Sequence, residues 1–157
     1  MTLLDEGYRR KKIVRLIFEI LLIMYLCYLT YLVFFSHYYG RGSPHQSINY
    51  IPFKTILLYL RLTGCPGIVM TNILGNVVAF IPMGFLLPVV FRSFGRLGNL
   101  LLGVLIATSL VEVTQYIAGV GAFDVDDIIL NVLGGILGYV AFVFLRLFWE
   151  LWANRIE

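Results

Sequence analysis

Residues 62–91 read LTGCPGIVMTNILGNVVAFIPMGFLLPVVF, a run without a single Asp, Glu, Lys or Arg. An α-helix rises about 1.5 Å per residue, so about 20 mostly apolar residues cross the roughly 30 Å hydrocarbon core of a bilayer. Gly64, Pro66 and Gly67 interrupt the beginning of the run, and the residues after them suffice for one crossing. We therefore predict a membrane-spanning helix over about 68–91.

Three other stretches have the same length and character. The third of the four contains one charged residue, Glu112, and the first and last are almost free of charge in their apolar parts. The sequence predicts these spanning helices at about 13–35, 97–118 and 128–149. Four crossings leave almost no chain for a water-soluble domain. The fold class predicted is therefore all-α, a polytopic four-helix transmembrane bundle that forms one domain over residues 1–157.

The composition supports this interpretation. Of 157 residues, 60% are hydrophobic and 13% are charged, and the mean hydropathy is +0.88. Soluble domains carry roughly a quarter charged residues, and so much exposed apolar surface would make a soluble chain aggregate. These figures exclude a disordered chain, a disulfide scaffold and an ordinary cytosolic enzyme.

A fifth, shorter helix is predicted between the first two spans. Lys54 and Arg61 bracket an apolar segment that follows Pro52. About ten residues are too few to cross a bilayer, so we predict an interfacial or re-entrant helix at about 53–62, on the outer side.

The distribution of basic residues predicts the orientation. Nine of the twelve Lys and Arg residues lie on the side that carries both termini, and three lie on the other side. By the positive-inside rule, both termini are cytoplasmic. This topology also accounts for the basic cluster over 9–12, which therefore gives no support to nucleic-acid binding.

Polar side chains within the spans share one depth in this topology. Ionisable groups at the centre of a spanning helix cost about 2.5–3.5 kcal/mol on insertion scales, so they are retained where they face helices, water or a ligand. Under the predicted topology, all of these groups lie in the outer third of the bilayer. Spacings of three or four residues place several of them in pairs on one helix face. The candidate binding residues are Asn72, Asn76, Glu112, Gln115, Asp124, Asp127 and Asn131.

Structural roles are the alternative for several of these residues. Asn and Gln side chains often form hydrogen bonds between spanning helices. For Asn72 and Gln115, this structural role is as good an explanation as ligand binding. Asp124 fits an N-cap, and Asp126 or Asp127 could complement the dipole of the last helix.

Carboxylates together with amides suit a hard cation, proton handling or hydroxyl recognition. Glu112 is the candidate catalytic acid or base. Asp124 and Asp127 are the candidate ligands of a divalent cation, and no other cofactor is expected. The sequence contains no Ser-His catalytic pattern, and His37 and His45 fit a solvated loop.

Four segments in this order resemble the VanZ-like family. They are NYIPFKT (49–55), NILGNVVAFIPMGFLLP (72–88), EVTQ (112–115) and FDVDDIILNVLGG (123–135). The resemblance covers about 13–148 and implies a small protein of the bacterial plasma membrane, in a family whose founding member is linked to low-level teicoplanin resistance. The residues that carry over from the motifs are Asn72, Asn76, Phe80, Pro82, Gly84, Pro88, Glu112, Gln115, Asp124, Asp127, Asn131 and Gly134.

One position departs from the family pattern. Many relatives have Arg where this chain has Gly121. If that Arg neutralises the acidic cluster, the resemblance implies that this chain uses another cation, for which Lys54, Arg61 or a bound cation are the candidates.

Three functions fit these observations. The first is a protein that binds an amphiphile, either a lipoglycopeptide or a lipid-linked cell-wall precursor, in an outward-facing polar pocket among membrane lipids. The second is an intramembrane enzyme that acts on a lipid-linked or cell-surface substrate through Glu112 and a cation held by Asp124 and Asp127. The third is a small transporter subunit, which would have to oligomerise because four helices enclose little pore.

Overall fold

The computed structural model describes residues 3–35, 47–61, 67 and 70–153. The helices are α1 (Leu3–Phe35), α2 (Lys54–Arg61), α3 (Gly75–Val90), α4 (Leu97–Ile117) and α5 (Val125–Ala153). A π-helical turn, Met70–Leu74, leads into α3, and a 3₁₀ turn, Arg92–Gly95, joins α3 to α4. His37 and His45, which are expected in a solvated loop, lie outside the described residues, as do Arg41 and Arg155, two of the basic residues counted for the topology.

In the part of the chain that the structure describes, four helices are long and apolar enough to cross a membrane. The candidate spans are Lys12–Phe35, Asn72–Val90, Leu97–Ile117 and Val125–Trp152. The short α2 lies between the first two. The predicted fold class, an all-α four-span bundle with one additional short helix, is confirmed.

The interior of the bundle is small, and its surface is apolar. Leu29, Phe80, Met83, Leu100 and Val104 form the main buried cluster. Large apolar side chains along all four long helices are exposed on the outside of the bundle. An apolar exterior of this kind suits hydrocarbon as the solvent.

Helices α3 and α5 pack backbone against backbone. A Cβ added at Gly138 would overlap the carbonyl oxygen of Ile81, and one added at Gly84 would overlap the carbonyl oxygen of Gly135. Small residues allow this approach because they place no side chain between the helices. The close contact aligns the first turns of α5 with the beginning of α3, where the polar residues lie.

A tyrosine hydrogen bond links α1 to α3. The Tyr25 hydroxyl donates a 2.8 Å hydrogen bond to the carbonyl oxygen of Ala79 on α3. Elsewhere on α1, Arg15 and Glu19 form the i,i+4 ion pair that their spacing favours, at 2.8 Å.

Two very short strands connect the loop before α2 to the turn before α5. β1 (Ile48–Asn49) pairs in parallel with β2 (Phe123–Asp124), and Asn49 is opposite Asp124. The segment before α2 therefore includes a two-residue strand, which no pattern in the sequence predicts. This pairing brings α2 over one end of the bundle.

Candidate functional site

A cavity of about 190 Å³ lies at one end of the bundle. Its walls come from the C-terminal parts of α1 and α4, the N-terminal parts of α3 and α5, α2, and the turn that precedes α5. The structure brings all the candidate binding residues to this one cavity: Asn72, Asn76, Glu112, Gln115, Asp124, Asp127 and Asn131. That these residues bind a ligand stays a prediction.

Two carboxylates of the cavity wall, those of Glu112 and Asp127, each accept a hydrogen bond from the described residues through only one of their two oxygens. Glu112 is 3% exposed, and its Oε2 accepts a 3.1 Å hydrogen bond from the backbone N–H of Asp124. Asp127 Oδ1 accepts a 2.6 Å hydrogen bond from Asn76 Nδ2, which joins α5 to α3. Each of these residues therefore has a second carboxylate oxygen for which the described residues supply no donor.

Asp124, by contrast, uses both carboxylate oxygens in the protein. Its Oδ1 accepts hydrogen bonds from Asn49 Nδ2 and from the Asp126 backbone N–H, each at 2.9 Å. Its Oδ2 accepts a 2.6 Å hydrogen bond from the Thr55 hydroxyl. Asp124 thus holds the loop before α2 against α5, and it is less available to a ligand than Glu112 or Asp127.

Asp126 has a structural role that the sequence does not reveal. Its carboxylate is fully buried and is not part of the cavity wall. It accepts hydrogen bonds from the backbone N–H groups of Phe53, Thr55 and Ile56, the latter two at 2.7 and 3.1 Å. Asp126 therefore caps the N-terminus of α2, which its own sequence leaves without an acidic residue in the first turn.

The cap coincides with an unusual backbone conformation. Phe53 has a φ of 65°, in the left-handed region that side chains other than glycine rarely adopt. Because its N–H is bound by Asp126, the tertiary contact maintains a conformation that the local sequence disfavours.

Gln115 and Asn131 both donate hydrogen bonds that link neighbouring helices, and Asn131 also has an oxygen without a donor among the described residues. Gln115 Nε2 donates a 3.1 Å hydrogen bond to the carbonyl oxygen of Val33, so Gln115 links α4 to α1. Asn131 is 3% exposed, and its Nδ2 donates a 2.7 Å hydrogen bond to the Thr108 hydroxyl. Asn131 Oδ1 is buried and accepts no hydrogen bond from the described residues.

No basic side chain neutralises the acidic cluster within the described part of the chain. The ion pairs found there, Arg15–Glu19 and Arg146–Glu150, lie on exposed helix faces. Lys54 and Arg61, the neutralising side chains considered above, form no ion pair with the cluster.

The charge of the cluster also acts on a phenol outside the spans. Burial raises the pKa of Tyr59 on α2, and the negative charges of Asp127 and Asp124 raise it further.

The cavity is not arranged as a multi-carboxylate metal centre. Among residues 3–35, 47–61, 67 and 70–153, no group of three or more His, Cys, Asp or Glu side chains could together hold a metal ion. The candidate metal ligands differ in availability, since Asp124 accepts three hydrogen bonds from the protein and Asp127 accepts one. Glu112 lines the cavity, and its role as an acid or base stays a prediction.

These features define a class of protein: a polytopic α-helical membrane protein with a buried acidic and amide-lined cavity at one end of its bundle. The model of the VanZ/LLP1 family matches residues 22–146. The chain is also similar to Protein VanZ of Enterococcus faecium, with 37% identity over 122 residues, 75% of this chain and 68% of the relative. This chain belongs to the VanZ/LLP1 family. No solved structure gives a significant match.

Proposed function

We propose that this chain contributes to low-level teicoplanin resistance by binding an amphiphile in the bacterial plasma membrane, with the head group in the cavity described above. The observation that carries the proposal is the convergence of the candidate polar residues on one cavity inside an otherwise apolar bundle. The association of the VanZ family with teicoplanin resistance supports the choice of phenotype.

The size of the cavity favours a head group over a whole antibiotic. Pockets that enclose drug-sized ligands measure roughly 300–1,000 Å³. This cavity, at about 190 Å³, is too small for the body of a glycopeptide. Leu29, Leu32 and Val33 of α1 also line the cavity, so the acyl chain of a bound amphiphile would contact apolar side chains on that side.

A resistance assay tests the function. Cells that express the wild type are compared with Glu112→Gln and Asp127→Asn cells at equal membrane levels, against a lipidated and an unlipidated glycopeptide. Protection against the lipidated drug should fall in both variants, with little protection against the unlipidated drug in any strain. Glu150→Gln, a substitution at an exposed acid far along α5, is the matched control and should retain protection. Equal protection against both drugs would contradict the proposal.

We also propose that both termini are cytoplasmic, which places the cavity on the outer side. In a Cys27→Ser/Cys65→Ser background, Tyr50→Cys reports the end of the bundle near α2, and Gly98→Cys reports the beginning of α4. A membrane-impermeant maleimide should label the first in intact cells and the second only after permeabilisation. The reverse pattern would overturn this orientation.

A further inference from the structure

The cavity wall brings several carboxyl groups together, and no basic side chain of the described residues forms an ion pair with them. Glu112, Asp124 and Asp127 all line it, and Asp126 lies directly beside them in the chain. Both ion pairs of the described residues lie elsewhere, on exposed faces of α1 and α5. A buried group of carboxylates is costly unless cations or hydrogen-bond donors compensate it.

Three acceptor oxygens in the wall remain without a donor from the described residues. Glu112 accepts through Oε2 and Asp127 accepts through Oδ1, which leaves the other oxygen of each. The third is Asn131 Oδ1, on a side chain that is 3% exposed and lines the same cavity. Buried polar atoms without partners are rare in folded proteins, so the Asn131 oxygen indicates a missing donor.

The number and type of these acceptors favour an organic ammonium over a metal ion. A primary ammonium carries a positive charge and three N–H donors, one for each open oxygen. Calcium takes about six to eight oxygen ligands, and magnesium requires near-octahedral geometry. The described residues contain no group of three or more acidic, His or Cys side chains that could hold a metal.

The wall has space for a methyl-sized group at Gly121. Gly121 lines the cavity, and a Cβ added there would meet only the side chain of Gln115, at 3.4 Å or more. The small volume, about 190 Å³, suits a head group on a chain that leaves the cavity.

We propose that the cavity binds the primary ammonium head group of an amphiphile, whose N–H groups donate to Glu112, Asp127 and Asn131. The inference rests on the proposed function and specifies the chemistry of its ligand. A membrane phospholipid with an amine head group and an amphiphilic amine from outside the membrane share this chemistry.

Binding is measured on the purified full chain in phosphatidylcholine nanodiscs, by the increase of the unfolding midpoint with probe concentration. The probes are decylammonium, decyltrimethylammonium and decanol, which share one chain length and are kept below their micelle concentrations. Decylammonium should bind saturably and at least tenfold more tightly than the trimethyl probe, which has the charge but no N–H donor. Equal binding of the two cations would overturn the proposal.

The neutral probe separates this proposal from the proposed function. If decanol binds as tightly as decylammonium, the cavity takes amphiphiles without preference for an ammonium, and only this inference fails. If no probe binds, amphiphile binding fails as well. Stabilisation by Ca²⁺ or Mg²⁺ that decylammonium does not displace would also overturn the ammonium site.

Nanodiscs made with phosphatidylethanolamine identify the source of the head group. A weaker apparent affinity for decylammonium in these discs would support the proposal with the phospholipid as the ligand. An unchanged affinity would support it with an external amine as the ligand.

Substitution in the wall provides the matched test. Gly121→Arg places a guanidinium within reach of the cluster and should abolish decylammonium binding. Gly98→Arg makes the same chemical change at an exposed glycine with open space around it, so this control should bind as the wild type does. Glu112→Gln should weaken binding at least tenfold because it removes a charged acceptor. If Gly121→Arg does not fold, the affinities of Glu112→Gln and Asp127→Asn for decylammonium test the proposal instead. Unchanged affinity in both variants would refute the ammonium site.

Discussion

Removal of the Asp126 carboxylate should release α2 from the end of the bundle. This buried side chain accepts hydrogen bonds from three backbone N–H groups at the beginning of α2, those of Phe53, Thr55 and Ile56. Asp126→Ala leaves all three without their acceptor. Because this cap is a contact between α5 and the loop before α2, its loss should affect the attachment of α2 more than the folding of α5.

The structure allows a rough estimate of the effect. A hydrogen bond to a charged acceptor contributes about 1.5–3 kcal/mol when buried. Phe53 and Lys54 are exposed, so water can reach part of this helix end and reduce the cost to about 1 kcal/mol per bond. The total of about 3 kcal/mol corresponds to a roughly 150-fold larger population in which α2 is detached. Asp126→Asn retains one acceptor oxygen and should produce about half of this free-energy change.

Hydrogen exchange of the protein in nanodiscs measures this change directly. Amides of residues 53–57 should lose about two orders of magnitude of protection in Asp126→Ala, while amides in the middle of α4 remain protected. Glu150→Ala is the control because its ion pair with Arg146 is exposed and contributes less than about 1 kcal/mol. Unchanged protection over 53–57 in Asp126→Ala would refute the assignment of this carboxylate as the cap of α2.

Two further substitutions test the packing of the bundle. Gly138→Val should destabilise the protein by about 3 kcal/mol or more, since its side chain would overlap the backbone of α3, whereas Gly98→Ala, in open space, should have little effect on thermal unfolding in detergent. Tyr25→Phe should cost about 1 kcal/mol because it removes the hydrogen bond to Ala79, and Tyr28→Phe, at an exposed ring, is its control. Equal unfolding midpoints within either pair would contradict the contact concerned.

The sequence predicts the spanning helices well because the bilayer restricts the possible structures. In hydrocarbon, a chain must satisfy its backbone hydrogen bonds within each crossing, so length and apolarity suffice to indicate a helix. Because consecutive spans cross the bilayer in opposite directions, Asn76, Glu112 and Asp127 are predicted at the same end of the bundle. The structure brings them to one cavity.

The attachment of α2 could not be predicted in the same way. Asn49 and Thr55 bind Asp124 across 75 and 69 residues of sequence, and two-residue strands have no periodicity to detect. Helix geometry does not separate the two neighbouring acids, because consecutive helix residues such as Val111 and Glu112 both line the cavity. The sequence therefore distinguishes Asp126 neither from Asp127 nor as the partner of α2.

The hydrogen bond between Thr55 and Asp124 tests whether α2 holds the residues of the cavity wall in position or only covers the cavity. The Thr55 hydroxyl donates to Asp124 at 2.6 Å and accepts from Asn49 at 3.0 Å. Thr55→Val keeps the shape and removes both bonds, and should cost about 2 kcal/mol, whereas Thr55→Ser keeps the hydroxyl and should cost less than about 1 kcal/mol.

A double-mutant cycle isolates this interaction. Thr55→Val combined with Asp124→Ala should show a coupling of about 1 kcal/mol or more in the free energy of unfolding, because the two side chains share a hydrogen bond. Thr55→Val combined with Glu150→Ala should be additive within about 0.5 kcal/mol, since those residues share no partner. Additivity in the first cycle would mean that Asp124 is held by its other donors. The hydroxyl of Thr55 would then contribute nothing to the position of the wall, and α2 would act as a cover that the cavity can lose without changing shape.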